Sequence, residues 1–290
     1  MTSSTSEVTA IVTAYQRLDA TCETIRRLKD CDPAPAEIIV HVDGGEKLTS
    51  VLKQTFPELK VIESPHRLGP GGARNRLINA AVTDLVASFD DDSSPVDRDY
   101  FLKVTELASR FEKIAVFDAH VFLPAEPIPN IRNRSVLVES FSGGACIYRR
   151  DVFLELDGYV PIPIAYDMEE VDVALQLADR GHRILRSDAL RVLHDTDLQR
   201  HSHPSVTASS ISNIALFIYL RYPVWLWSIG LVKVLSRIVW CMRHGRVDGI
   251  FQGLKQIGES IARYRSYRRT VRSATILRSL LRKRTNQVVK

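Results

Sequence analysis

The sequence predicts an α/β fold: a mostly parallel sheet flanked by helices, followed by a C-terminal helical extension. Three observations predict it. β-rich runs alternate with amphipathic helical stretches up to about residue 205. Several of those runs end in aspartate or glycine, where strands of an open sheet meet a ligand crevice. The charge also changes abruptly, since residues 221–290 hold 16 Lys/Arg against 2 Asp/Glu, whereas the rest holds 23 against 32. We therefore divide the chain into a domain over 1–205 and a basic, aromatic-rich helical tail over 206–290.

Within the first domain, residues 8–12 read as a strand and 18–28 as a helix with Leu18, Cys22, Ile25 and Leu28 along one face. Residues 37–42 form the next strand, completing a β-α-β unit. A short strand at 60–62, a glycine loop at 68–72, a helix over 73–82 and an apolar strand at 85–89 continue the alternation. Beyond Ser94-Pro95 come a helix over 100–111, a strand at 114–117, a proline-rich loop over 124–129 and a strand at 145–148. A helix over 168–180, closed by Gly181, and a strand at 183–185 end the domain.

In the tail, the apolar runs 214–220 and 224–232 are interrupted or bounded by Arg221, Pro223, Lys233 and Arg237. Neither run approaches the roughly 20 residues that span a bilayer. Residues 1–7 carry no basic stretch ahead of an apolar run, so no secretory signal is indicated and the expected location is cytoplasmic. Cys22, Cys31, Cys146 and Cys241 are scattered without a CxxC pair and read as reduced, mostly buried thiols.

The sharpest chemical signal is Asp90-Asp91-Asp92 at the end of a buried strand. Three adjacent carboxylates repel one another unless a cation neutralises them, and oxygen donors suit Mg²⁺ or Mn²⁺. The plainer alternative is a solvated acidic turn. Asp43 ends the second strand before Gly44-Gly45, as a turn or as a hydrogen-bonding group for a ribose or base. His66-Arg67-Leu68-Gly69-Pro70-Gly71-Gly72-Ala73-Arg74 leads into a helix whose N-terminus favours anions, with two forked guanidinium groups for a diphosphate. Tyr166-Asp167-Met168-Glu169-Glu170-Val171-Asp172 opens another helix with four acids, which complement its dipole or supply a general base. His194 follows a short apolar-basic strand, while His201 and His203 read as polar loop residues rather than metal ligands.

In this order and spacing, the segments 8–17, Asp43-Gly44-Gly45, 69–75, Asp90-Asp91-Asp92, Ser142-Gly143-Gly144-Ala145, Glu169-Glu170-Val171-Asp172 and Val192-Leu193-His194 resemble the family 2 inverting glycosyltransferases, which have the GT-A fold. The resemblance covers about residues 8–195. It implies an inverting transfer of sugar from a nucleotide-sugar donor, UDP-sugars being the default, to a hydroxyl acceptor in glycan, lipid-linked or small-molecule form. It implies that Thr13, Tyr15, Arg17, Asp43, Arg67, Gly69, Arg74, Asp90 and Asp91 line the donor site. Asp92 is then the principal ligand of Mn²⁺ or Mg²⁺, with Asp90 and His194 beside it. Glu170 takes the position of the catalytic base, where the family usually has aspartate, and Asp172 or Glu169 stands as its alternate.

The tail mixes Phe217, Tyr219, Tyr222, Trp225, Trp227 and Trp240 with Arg221, Lys233, Arg237 and Arg243. That pattern fits a peripheral contact with an anionic membrane surface, or a helical subdomain packed on the first domain. Basic clusters at 263–269 and 282–284 lack a recognisable nucleic-acid module and follow an acidic domain, so nucleic acid is not the expected partner. The rival readings are an inert nucleotide-sugar-binding membrane scaffold and a metal-dependent nucleotidyltransferase.

Overall fold

The computed structural model describes residues 6–128, 134–166, 168–196, 203–281 and 287–289. Its first half runs β1 (Val8–Ala14), α1 (Leu18–Lys29), β2 (Glu37–Asp43), α2 (Glu46–Thr55), β3 (Lys60–Ser64), α3 (Gly69–Ala80) and β4 (Leu85–Asp90). β1 pairs parallel with both β2 and β4, and β3 extends the sheet beyond β2. β1 and the last five residues of β2 are buried throughout, which is why apolar residues predominate in both without the alternation of a half-buried strand, although Thr9, Thr13, His41 and Asp43 are buried with them.

The chain continues through β5 (Ser93–Pro95), α4 (Tyr100–Arg110), β6 (Ile114–Phe122), β7 (Ser135–Val138), β8 (Ala145–Arg149), α5 (Arg150–Leu154), α6 (Glu169–Asp179) and β9 (Arg183–His194). It closes with α7 (Pro204–Arg221), α8 (Trp227–Arg243), α9 (Ile250–Tyr264), α10 (Ser273–Leu281) and β10 (Gln287–Val289). The sheet order is β10-β7-β9-β6-β8-β4-β1-β2-β3, with β5 attached to β9. This sheet is more mixed than the alternation suggests. β8 enters antiparallel between β4 and β6, and β7 lies antiparallel to β9.

Two apolar clusters cover the sheet. One joins α1, α2 and α4 to Val12, Val40 and Phe89; the other joins α3 and α6 to Ile11, Ile39 and Val86. Each strand therefore divides its side chains between the two layers by simple alternation. All four cysteines are buried and unpaired.

A third cluster unites the two regions that the charge pattern separates. Met168 and Leu175 of the first region pack with Ile211, Leu216 and Leu220 of α7, Val234 of α8 and Ile276 of α10. Arg221, 1% exposed, reaches from α7 to Asp172 of α6, with Nη2 donating to Oδ2 at 2.9 Å. α7 begins at Pro204, next to the division placed at 205, and docks firmly on the preceding fold.

The sequence reading underestimates α8. A 3₁₀ turn at Val224–Leu226 runs directly into it, so Val224–Arg243 forms a 20-residue helical stretch with an 18-residue window of mean hydropathy 1.5, long and apolar enough to cross a membrane. Lys233 and Arg237 interrupt the run in sequence but not on its outer face. They turn inward, to the Tyr222 hydroxyl and the Ser210 Oγ respectively.

Candidate functional site

A cleft of about 750 Å³ opens beyond the carboxyl ends of β1, β2 and β4, where strand order reverses around β1. β1 ends in a turn at Gln16, whose φ of 62° is left-handed. That turn brings the Tyr15 N–H to Asp91 Oδ2 at 3.2 Å and the Arg17 Nε to the same oxygen at 3.2 Å. Arg17 also pairs with Asp92. One guanidinium thus bridges two adjacent carboxylates.

The three aspartates have different surroundings. Asp91 is 2% exposed, and burial pushes its carboxyl up to about 6 although Arg17 opposes the shift. Asp92 is also desolvated, yet the hydrogen bond and charge of His194, with Arg17, hold it below the ordinary carboxylate range. Its Oδ1 lies 3.1 Å from His194 Nε2. The register that places Ser93 opposite His194 in the β5–β9 pair creates this meeting of residues 102 apart in sequence. Burial opposes protonation of His194, but the Asp92 hydrogen bond and the charges of Asp90 and Asp92 shift its pKa upward. Asp90 accepts from Thr13 Oγ1 at 2.9 Å and from Arg74 Nη2 at 2.5 Å.

Arg74 lines the cleft as well, with its side chain 1% exposed and its guanidinium surrounded by three acids. Besides Asp90, Nη1 meets Glu169 Oε2 at 3.3 Å and stands 3.9 Å from Glu170 Oε1. Glu170 lines the cleft and accepts from the Gly143 N–H at 3.1 Å. Burial pushes both Glu169 and Glu170 upward, and their mutual repulsion adds to the effect on Glu169, while Arg74 opposes it. One cation shared among three carboxylates favours a proton on the glutamate pair.

Of the two alternate bases, Glu169 lines the cleft but is held by Arg74 and the Gly71 N–H. Asp172 is directed away, 1% exposed and paired with Arg221, so its carboxylate has a structural partner instead of an acceptor. Asp43 lines the cleft, but its oxygens accept from Ser64 Oγ and from the Leu68 and Gly69 N–H groups, at 2.7 to 3.0 Å. It thereby fixes the turn that starts α3. Gly69 sits in that turn at φ 75°, and an added Cβ would strike the Ile162 carbonyl. Arg67 stacks its Cζ 4.2 Å from the Tyr15 ring centroid at the cleft wall.

Of two further features, the wall over 163–165 has no motif in the sequence, while Gly144 belongs to the 142–145 segment. Residues 163–166 form a cleft wall, held by Asn213 Nδ2 of α7 donating to the Ile164 and Tyr166 carbonyls. Gly144 is pressed against Asp90, where an added Cβ would collide with the carboxylate. His203 accepts from the Ser205 N–H and caps α7, while His201 and Asp167 lie outside the described residues.

Among the described residues, no three His, Cys, Asp or Glu side chains stand together as a ready metal cage. Asp92 with His194 is an oxygen–nitrogen pair, and such a pair suits Mn²⁺ when phosphate oxygens and water complete the shell. Asp90 lines the same cleft and acts on His194 through its charge, while its carboxylate bonds Thr13 and Arg74.

Residues 9–134 match the family model of glycosyl transferase family 2. The matched stretch spans β1 to the approach to β7 and contains every cleft aspartate, whereas Glu170 and His194 lie beyond it. An uncharacterised glycosyltransferase, YwdF of Bacillus subtilis (strain 168), is 32% identical over 88 residues, 30% of this chain and 32% of the relative. The chain thus matches only about a third of that relative's length.

Three solved structures share the fold at 14–15% identity. Staphylococcus aureus TarS 1–349 in complex with UDP-GlcNAc superposes with a TM-score of 0.61 over 90% of this chain and 81% of that one. GalNAc-T7 with UDP, GalNAc and Mn²⁺ gives 0.60 over 75% and 48%. The mannosyltransferase PcManGT from Pyrobaculum calidifontis, in complex with GDP-Man and Mn²⁺, gives 0.57 over 94% and 84%. The architecture is that of the GT-A glycosyltransferases, as the motif order implies.

Proposed function

We propose that this chain is an inverting glycosyltransferase that moves a sugar from a nucleotide-sugar donor, a UDP-sugar by preference, to a hydroxyl of a glycan, lipid-linked or small-molecule acceptor. The observation that carries the reading is the pairing of opposites in one cleft: Glu170, raised toward a useful basicity, and the Asp92–His194 pair, held ionised or metal-ready. An acceptor hydroxyl is a weak nucleophile and a nucleoside diphosphate a reluctant leaving group, so the reaction needs a base on one side and charge neutralisation on the other.

In this reading the donor lies along β1 and β4, with Tyr15 and Arg67 at the nucleotide and the sugar directed toward Glu170. Glu170 takes the proton of the acceptor oxygen as that oxygen bonds to the anomeric carbon. The bond from that carbon to the diphosphate breaks on the opposite face, which inverts the configuration. Arg74 and the Gly143 N–H keep the Glu170 carboxylate oriented, and residues 163–166 exclude water. A divalent cation held by Asp92 and His194 would neutralise the departing diphosphate.

The test is thermal stabilisation by UDP-, GDP- and dTDP-sugars with Mn²⁺ or chelator, followed by product analysis with the stabilising donor. A Mn²⁺-dependent shift with a product of inverted anomeric configuration is expected. Binding without transfer to any acceptor would favour an inert scaffold, and nucleotidyl transfer would replace the reading altogether.

A further inference from the structure

The helix α8 has two unlike faces. Gly230, Val234 and Cys241 are buried, and an added Cβ at Gly230 would strike Ile218 of α7. Lys233 and Arg237 lie on this protein side. The opposite side presents Val224, Trp225, Leu231, Val232, Leu235, Val239 and Met242, each between 40% and 72% exposed. At 100° per residue, Leu231, Leu235, Val239 and Met242 follow a single stripe. Apart from Ser228 and Ser236 the outer face is hydrocarbon from Val224 to Met242. So large an apolar patch is not left bare on a soluble monomer without a partner.

Its borders identify the partner. The chain's three tryptophans all lie on this stretch: Trp225 and Trp227 at one end, Trp240 near the other. Cations stand at the same two levels, with Arg268 Cζ 5.6 Å from the Trp227 ring centroid and Arg246 Cζ 5.1 Å from that of Trp240. Arg243 and the turn beyond it lead to Val247 and Phe251, 56% and 82% exposed. Hydrocarbon in the middle, indoles and guanidinium groups at the margins, and 16 cations against 2 acids over residues 221–290 match an anionic lipid interface. A second copy of this chain would bring the same cations toward one another.

We infer that α8 is a monotopic membrane-docking helix, lying along one leaflet with its outer face at the acyl boundary. It does not cross the bilayer. Crossing would expose Lys233 and Arg237 to hydrocarbon and strip α8 from α7, which the third apolar cluster ties to Met168 and Leu175. The same α7 carries Asn213, which holds the cleft wall at Ile164 and Tyr166. Docking therefore fixes the cleft relative to the lipid surface whatever reaction the cleft performs.

Because every tryptophan lies on the proposed surface, intrinsic fluorescence of the unmodified full chain tests it directly. Adding vesicles of phosphatidylcholine with phosphatidylglycerol should shift the emission to the blue, and brominated lipid should quench it. Flotation should carry the protein with these vesicles more than tenfold better than Leu231→Asp/Leu235→Asp, whose exposed positions leave the fold and its circular dichroism intact. Alkaline carbonate should release the bound protein. Unchanged emission with every vesicle overturns the inference, most clearly if the protein is a dimer that the double substitution dissociates. Resistance to carbonate overturns the single-leaflet arrangement in favour of a spanning helix.

Discussion

Arg221 at the end of α7 forks onto Asp172 of α6, Nε to Oδ1 at 2.5 Å and Nη2 to Oδ2 at 2.9 Å, with both residues 1% exposed. Nη1 adds a contact to Asp157 Oδ2 at 2.8 Å. A buried pair of this kind adds little net stability over an apolar replacement, but removing one member strands the other charge. The pair therefore locks the helical tail to the helix that bears Glu170.

Asp172→Ala is expected to destabilise the protein by about 3–5 kcal/mol, whereas Asp172→Leu with Arg221→Met recovers much of that loss. Urea unfolding of the two variants measures the difference. If Asp172 acted as the base instead, the double variant would be stable and inactive in a way that Glu170→Gln is not.

Glu170→Gln should leave the Mn²⁺-dependent donor shift intact and lower kcat by at least about a hundredfold, the ordinary worth of a positioned base. Since Glu170 is raised by burial and must be deprotonated to act, wild-type kcat/KM should fall as pH drops through a limb lying above the usual carboxylate range. A flat profile down to pH 5, or full activity of the glutamine variant, would remove Glu170 from the role.

How much of this was visible in sequence depends on how far apart the partners lie. The strands β1, β2 and β4 are legible because apolar residues predominate in buried parallel strands, although β1 runs to Ala14, two residues past the predicted 8–12. The identity of the Arg74 partners was not, since Glu169 follows 95 residues later and only the packing of α3 beside α6 joins them. Likewise Asp172 and Arg221 carry no mutual signal at a separation of 49. The tail's excess of cations is plain from composition, but composition does not tell which face of a helix bears them, so the long outer stripe of α8 is visible only in the fold.

Gly144→Ala tests the packing of the cleft floor. Its Cβ would overlap the Asp90 carboxylate, which already bonds Thr13 and Arg74, so the carboxylate must move. The expected result is loss of donor binding with a stability change near the about 1–3 kcal/mol of an overpacked site, read by calorimetry and thermal shift. Gly181→Ala, with open space around its Cβ but a φ of 85°, serves as a control that changes stability alone.

Arg17 now occupies the position of a counter-ion to Asp91 and Asp92. In Arg17→Met the two carboxylates face each other without it, so the variant should unfold more readily in chelator, by about 1–3 kcal/mol. Mn²⁺ should then restore more stability than it adds to the wild type, because the cation no longer competes with a guanidinium. An equal Mn²⁺ increment in both proteins would show that Arg17 is not displaced.

His41 supplies a pH test independent of the cleft chemistry. It is fully buried in β2, neither ring nitrogen has a hydrogen-bond partner among the described residues, and burial pushes its pKa down from 6.5 to about 4. In the unfolded chain the imidazole protonates near its ordinary value while the folded protein refuses the proton. Stability from this group is therefore complete above pH 6.5 and falls as pH drops toward 4, by about 3 kcal/mol at 1.36 kcal/mol per pH unit. The buried acids Asp91 and Glu169 act in the opposite sense, since their raised folded values favour the native state as pH falls. The comparison with His41→Leu separates the two contributions. Urea midpoints for the wild type should converge toward or fall below those of the variant as pH declines from 7 to 4, and parallel curves would mean that His41 is protonated or solvated in the native protein.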